Sequence, residues 1–256
     1  MVNNKLKKIF AEGKAALGTF VLCNAPDLVE IIGLSGFDFV VIDNEHSPLG
    51  HESSQHLIRA AELRGLTPIV RIPNSLESTI LHTLDIGAHG IQVPQVNDAE
   101  TAKAIISRSK YHPLGKRGVA FPRSADYGQT DIAKYFDSAN SETMVVVHCE
   151  NQTCLENLDA ICQIPGIDVV FFGPYDMSQS MGITGQVTHP RIQEAAEKLV
   201  AAAKKHGKVA GIFAGSGALA KERAAQGFQY ITVGMDTVLF AAKCKQEAEA
   251  FRGKEL

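Results

Sequence analysis

Apolar residues along the chain fall into two alternating patterns. Short continuous runs rich in Val, Ile and Phe predict strands, and longer stretches with apolar positions three and four apart predict helices. A helix over Asn4–Glu12 comes first, followed by strand GTFVLC and helix APDLVEIIGLSG. Strand FDFVVID then precedes helix HESSQHLIRAAELRG, TPIVRI precedes SLESTILHTLDIG, and GIQVPQ precedes DAETAKAIISRSKY. A longer interruption, His112–Asn140, holds GKRGVAFPRSADYG and a helix, DIAKYFDSAN. The period resumes with strand MVVVHCE, one helix over QTCLENLDAICQI, strand DVVFFGP and a loop through Gly185. Helix PRIQEAAEKLVAAAKKHG, strand KVAGIFA, helix GALAKERAAQG, strand FQYITVG and helix DTVLFAAKCKQEAEAFRG complete eight βα units.

Gly36, Gly65, Gly87, Gly166, Gly207 and Gly227 each fall between a helix and the next strand. Glycine there accepts the left-handed backbone that ends a helix. Strands apolar throughout, rather than alternating, imply burial on both faces, as in a parallel sheet. Eight such units in 256 residues predict one (β/α)8 TIM barrel spanning residues 1–256 as a single α/β domain. The rival is a doubly wound open sheet, which shows fewer units and often a glycine fingerprint after its first strand. Strand one instead ends in LCNAPD, which favours the barrel.

Composition narrows the partners. A net charge of −3 with no basic block excludes nucleic acid and anionic membrane as expected partners. No apolar run approaches the roughly 18 residues of a membrane span. The N-terminal stretch carries lysines but no apolar core or small-residue cleavage site, so no secretory signal is expected and the cytoplasm is the expected compartment. Five cysteines, Cys23, Cys149, Cys154, Cys162 and Cys244, form no CxxC pair, so neither a disulfide framework nor a zinc site is expected.

In a barrel, chemistry gathers where strands end. The second strand ends at Asp43, Glu45 and His46, the third at Arg71, and the fourth at Gln92 and Gln95. The fifth ends at His148 and Glu150, and the sixth at Asp176. Glu150 and Asp176 could simply cap the helices that follow them. As carboxylates on consecutive parallel strands, they also suit Mg²⁺ or Mn²⁺, which take oxygen ligands and keep positions open for water or substrate. His46 is either a satisfied core histidine or a general base at the barrel mouth. Arg71 interrupts an apolar run and can grip a carboxylate bidentately. No lysine stands at a strand end, which disfavours Schiff-base chemistry and leaves a metal as the electron sink.

Five stretches together resemble the HpcH/HpaI family of class II pyruvate aldolases: Val41–Pro48 (VIDNEHSP), Pro68–Pro73 (PIVRIP), Gly115–Gly118 (GKRG), Glu150, and Gly173–Ser178 (GPYDMS). The resemblance implies a metal-dependent barrel that cleaves a 4-hydroxy-2-oxoacid to pyruvate and an aldehyde. It makes Glu150 and Asp176 ligands of Mg²⁺ or Mn²⁺, with Co²⁺ a further candidate. It makes His46 the acid/base, and assigns Arg71 to the enolate and the substrate's oxo group. It implies that Asp85 raises the basicity of the histidine, often across a subunit contact. It also implies a homohexamer, a trimer of dimers, with the C-terminal helix exchanged between paired subunits.

Two positions depart from the family pattern. His148 stands where the family carries a glutamine that helps hold pyruvate, and could donate a hydrogen bond to substrate or add a metal ligand. Tyr175 replaces a smaller residue often seen there; its bulk is expected to narrow the pocket, while its backbone N–H stays available to the substrate carboxylate. Rival activities are a citryl- or malyl-CoA-type lyase, an oxaloacetate decarboxylase, or a non-catalytic barrel that binds a small acid. A CoA lyase needs a basic surface, for which Lys116, Arg117 and Arg123 are the candidates.

Overall fold

The computed structural model describes residues 4–253. Its eight parallel strands are β1 (Ala16–Val21), β2 (Phe39–Asp43), β3 (Thr67–Arg71), β4 (Gly90–Val93), β5 (Met144–Cys149), β6 (Val169–Phe172), β7 (Val209–Ala214) and β8 (Tyr230–Met235). They pair in chain order and close, with β1 bonded to both β2 and β8. The helices are α1 (Lys5–Ala11), α2 (Pro26–Leu34), α3 (His51–Leu63), α4 (Glu77–Asp85), α5 (Ala99–Ser109) and α6 (Ile132–Glu142), then α7 (Gln152–Glu156), α8 (Leu158–Cys162), α9 (Pro174–Ser180), α10 (Pro190–Lys205), α11 (Gly217–Ala225) and α12 (Asp236–Arg252). The (β/α)8 barrel expected from the sequence is therefore present. Among the described residues, no helix is long and apolar enough to cross a membrane.

Strands buried on both faces divide the apolar residues into two cores. Val40, Ile42, Val145 and Val147 point outward and pack under the helices. Phe39, Val41, Ile69, Met144, Val146, Phe171 and Tyr230 fill the barrel interior, where Leu6 of α1 joins them. Space inside is limiting. A Cβ on Gly18 would lie 2.3 Å from the Phe39 ring, and one on Gly211 would lie 2.9 Å from Phe171 and 3.1 Å from Tyr230. Glycine at these strand positions makes room for the large aromatics opposite.

All six glycines expected between helix and strand adopt positive φ. Two segments differ from the expected elements. The stretch read as one helix over QTCLENLDAICQI is two short ones, α7 and α8, because Asn157 leaves helical geometry and its side chain bonds to the carbonyl of Asn97. The stretch read as a loop after β6 begins with α9, only seven residues long and opened by Pro174, too short to show a helical period.

The excursion between β4 and β5 is tied back to the barrel by Lys110. Its buried ammonium donates to the carbonyls of Asn140 and Thr143 at the end of α6, directly before β5. Burial pulls this lysine from its ordinary 10.5 down to about 8, with Asp168 acting against the shift. The unfolded chain therefore holds more protons between those two values, so the penalty Lys110 imposes fades as pH rises through that window. Urea denaturation of the protein and of Lys110→Met should show the stability difference moving in favour of lysine from pH 8 to 10. A gap that stays constant over that range would show that the ammonium is not desolvated.

Candidate active site

The mouth of the barrel opens into a cavity of about 430 Å³, whose lining includes His46, Arg71, His148, Glu150, Tyr175 and Asp176. Its remaining wall is largely apolar, with Phe20, Phe171, Phe213 and Met235. The structure thus brings six of the seven expected site residues to one place. Asp85 is the exception. It lies at the end of α4 furthest from the mouth and accepts a hydrogen bond from the buried Arg117 at 2.7 Å. Within one chain, Asp85 does not reach His46.

Arg71 is held by its neighbour in the sheet. Asp43 and Arg71 end adjacent strands in register, and the guanidinium grips the carboxylate through Nε at 2.9 Å and one terminal nitrogen at 2.6 Å. The other terminal nitrogen lies 3.4 Å from Glu45, and the plane sits over Phe20, 4.7 Å from the ring centroid. Asp43 also accepts the backbone N–H groups of Glu45 and His46, so one carboxylate fixes both the arginine and the loop that carries the histidine. The His46 ring is largely exposed, with Nε2 3.6 Å from Glu45. Burial pushes the Glu45 carboxyl above its usual range, although Arg71 and His46 pull the other way.

Glu150 follows the last residue of β5. Gly173 sits beside it, where a Cβ would come within 2.9 Å of the Glu150 Cβ and 3.2 Å of Oε2. Oε1 accepts the N–H of Gln95 at 2.7 Å, and Oε2 lies 2.7 Å from Nδ1 of His148. Burial raises this carboxyl, but His148, the Gln95 N–H and Arg71 outweigh burial and hold it below the ordinary carboxylate range. Glu150 is therefore a carboxylate at neutral pH. Asp176 lies in the first turn of α9, exposed to the cavity, and its side chain makes no hydrogen bond or ion pair among the described residues.

The donor set can be tested against a cation. Among the described residues, no group of three or more His, Cys, Asp or Glu side chains is arranged to hold one. Two carboxylates face the cavity, one ionised and anchored, the other unpartnered. Oxygen donors in that number suit a hard divalent ion that completes its shell with water and ligand. They suit zinc less well, whose sites are built chiefly on histidine and cysteine.

His148 is where the sequence reading needs revision. Its ring is 2% exposed and stacks on Phe171 at 4.8 Å. Its Nε2 lies 2.7 Å from the amide nitrogen of Gln92, whose oxygen accepts the Tyr230 hydroxyl at 2.8 Å. Both ring nitrogens thus have protein partners, so neither is free for the substrate contact or metal bond expected of it. Asp43, Gln92 and Tyr230 were not assigned to the site from sequence. The available signals were an acid opposite Arg71 across two strand ends and a glutamine inside the otherwise apolar GIQV.

Comparison with known proteins agrees with this arrangement. Residues 16–242 match the family model described as HpcH/HpaI aldolase/citrate lyase. The chain belongs to this family. It is a carbon–carbon lyase of the aldolase kind. A hydroxypyruvate/pyruvate aldolase of Cupriavidus necator is 36% identical over 253 residues, covering 98% of this chain and 93% of that protein. A 2-keto-3-deoxy-L-rhamnonate aldolase of Klebsiella pneumoniae is 33% identical over 254 residues, covering 98% and 94%. The crystal structure of an HpcH/HpaI aldolase from Desulfitobacterium hafniense superposes with a TM-score of 0.92 at 32% identity, covering 96% of each chain.

The Asp43–Arg71 pair should dominate the local energetics of the site. Asp43→Ala leaves a nearly buried guanidinium with Glu45, among the described residues, as its one remaining ion-pair contact, which should cost about 3–5 kcal/mol. Adding Arg71→Leu should recover part of that loss in urea denaturation. Purely additive losses would show that the two side chains are not coupled.

Proposed function

We propose that this aldolase cleaves a 4-hydroxy-2-oxoacid to pyruvate and an aldehyde, with Glu150 and Asp176 holding a divalent cation, Mg²⁺ or Mn²⁺. The observation that carries the reading is the convergence of an anchored carboxylate, an unpartnered carboxylate, a clamped arginine and an exposed histidine on one cavity. When bound, the cation supplies positive charge to the oxo group on which the enolate charge develops.

The chain's own residues account for the remaining steps. His46, directly or through a water it holds, removes the proton of the 4-hydroxyl group. The C3–C4 bond breaks, the new carbonyl leaves as the aldehyde, and the bonding electrons pass to C3 and the 2-oxo oxygen as pyruvate enolate. Arg71 faces that developing negative charge from a position fixed by Asp43, so little reorganisation is needed as the charge forms. Proton return to C3 completes pyruvate. The apolar wall of Phe20, Phe171 and Phe213 lowers the local dielectric and strengthens these electrostatic contacts. Tyr175 stands edge-on to Phe213 at 6.0 Å and narrows the entrance for the aldehyde portion.

Two further assignments rest on the resemblance to the family. Asp85 would support His46 of a neighbouring copy, since within one chain His46 follows the mouth end of β2 while Asp85 closes α4 at the opposite end of the barrel. A hexamer with α12 exchanged between subunits would cover Val238, Leu239, Phe240 and Phe251, all exposed in the single chain.

The deciding experiment is a coupled pyruvate-release assay on a panel of 4-hydroxy-2-oxoacids, before and after chelation and with Mg²⁺ or Mn²⁺ added back. Chelation should abolish turnover and the ions should restore it; full activity after complete metal removal would sink the mechanism. Arg71→Ala should lower kcat/KM by about 10²–10³, the usual effect of deleting a donor to a developing oxyanion. Including citrate and malate thioesters and oxaloacetate in the panel separates the related lyase and decarboxylase activities.

A further inference from the structure

The four side chains Tyr230, Gln92, His148 and Glu150 form a continuous hydrogen-bonded chain that crosses the barrel interior and ends at the mouth. Tyr230 and Gln92 are fully buried, and His148 and Glu150 are 2% and 4% exposed. The direction of the chain follows from donor chemistry. The Tyr230 hydroxyl donates to Oε1 of Gln92, so the Gln92 amide N–H faces Nε2 of His148. That nitrogen must then be the acceptor, which places the single imidazole proton on Nδ1. Nδ1 donates to Oε2 of Glu150. Every polar atom of the imidazole is used, and the ring is held flat against Phe171.

From this geometry we propose that His148 is a positioning residue for Glu150, and contacts neither substrate nor cation. The tyrosine and glutamine fix the tautomer, and the fixed tautomer aims one N–H at Oε2. The Gln95 backbone N–H secures Oε1 from the other side. With both oxygens held and Gly173 leaving room on the open side, the carboxylate presents its remaining lone pairs to the cavity in one orientation. The inference rests on the reading of Glu150 as a cation ligand, so the test must separate the two.

The working atom can be found by replacement. Asparagine carries an amide nitrogen close to where Nδ1 sits, whereas the amide nitrogen of glutamine falls close to the place of Nε2. Mn²⁺ binding to metal-free protein is measured by calorimetry for the natural protein, His148→Asn, His148→Gln, Tyr230→Phe and Glu150→Ala. If His148 acts through Nδ1, His148→Asn should keep the Mn²⁺ Kd within about threefold while His148→Gln weakens it about tenfold or more, the range for residues that orient a ligand. Tyr230→Phe, which leaves the ring but unlocks Gln92, should weaken it by at least about threefold. Pulsed EPR of the Mn²⁺ complex should show no directly bound imidazole nitrogen that disappears in His148→Gln.

The reverse order, with glutamine retained and asparagine lost, would place the working atom at Nε2 and overturn the proposal. So would a Tyr230→Phe protein that binds Mn²⁺ as tightly as the natural one, or a nitrogen coupling traced to His148. Tyr230→Phe decides the matter if either His148 variant fails to fold. Failure of the underlying reading looks different: the natural protein would bind no Mn²⁺, or Glu150→Ala would bind it unchanged.

Discussion

A closed eight-stranded barrel confines its chemistry through interior volume. The inside is filled by inward-facing side chains from neighbouring strands, and apolar packing there has to be nearly complete. Here Phe39, Val41, Ile69, Val146, Phe171 and Tyr230 occupy it, with glycine placed opposite the largest rings. The charged and amide side chains of the interior gather toward the last inward positions before the strands end. Asp43, Arg71, Gln92 and His148 all stand there or one step below, and each is paired with another of the set or with the site beyond. A lone buried guanidinium or imidazole at this depth would cost several kcal/mol, so the site can exist only as a connected network.

That network explains an asymmetry between the two carboxylates. Glu150 is buried and should resist ionisation, yet two N–H donors and Arg71 keep it charged. Asp176 faces the open cavity and has no such donors among the described residues. One carboxylate is therefore anchored and the other unpartnered among the described residues, and on the proposed reading the anchored one would fix where the cation sits. Arg71, clamped by Asp43 on the neighbouring side, marks the other positive position. The distribution of charge around the cavity follows from which strand ends are adjacent in the sheet.

Most of the architecture was legible in the sequence, because eight short apolar runs separated by helix-period segments leave few closed parallel arrangements. The exceptions have local causes. Asn157 splits a helix through one side chain-to-backbone bond, and α9 is too short to carry a period. The positions of His46, Arg71, Glu150 and Asp176 could be read because residues just past strand ends share one face of a barrel. The partners that hold them could not. Asp43 looked like one of two acids at its strand end, and the meaning of Gln92 and Tyr230 depends on register between strands far apart in sequence. Asp85 makes the same point from the other side: the resemblance assigns it to the histidine, while within one chain it is committed to Arg117.

The departure at His148 places a rigid ring where the family pattern carries a flexible amide. Glutamine is a flexible side chain with a donor and an acceptor at its tip, able to reach a ligand in the cavity. Histidine is rigid, and its two nitrogens lie on different edges of one plane. Once Gln92 claims one edge, the other can face only a neighbour in line with it, and Glu150 is that neighbour. The contact moves from the cavity to the wall. On the role proposed for Glu150, what the site would lose in direct reach toward a bound acid it would regain in the fixed direction of a carboxylate, with Arg71 left as a donor facing the cavity. On this view the chain's recognition of its oxoacid leans more on the arginine, and its hold on the cation more on the histidine, than the family pattern alone implies.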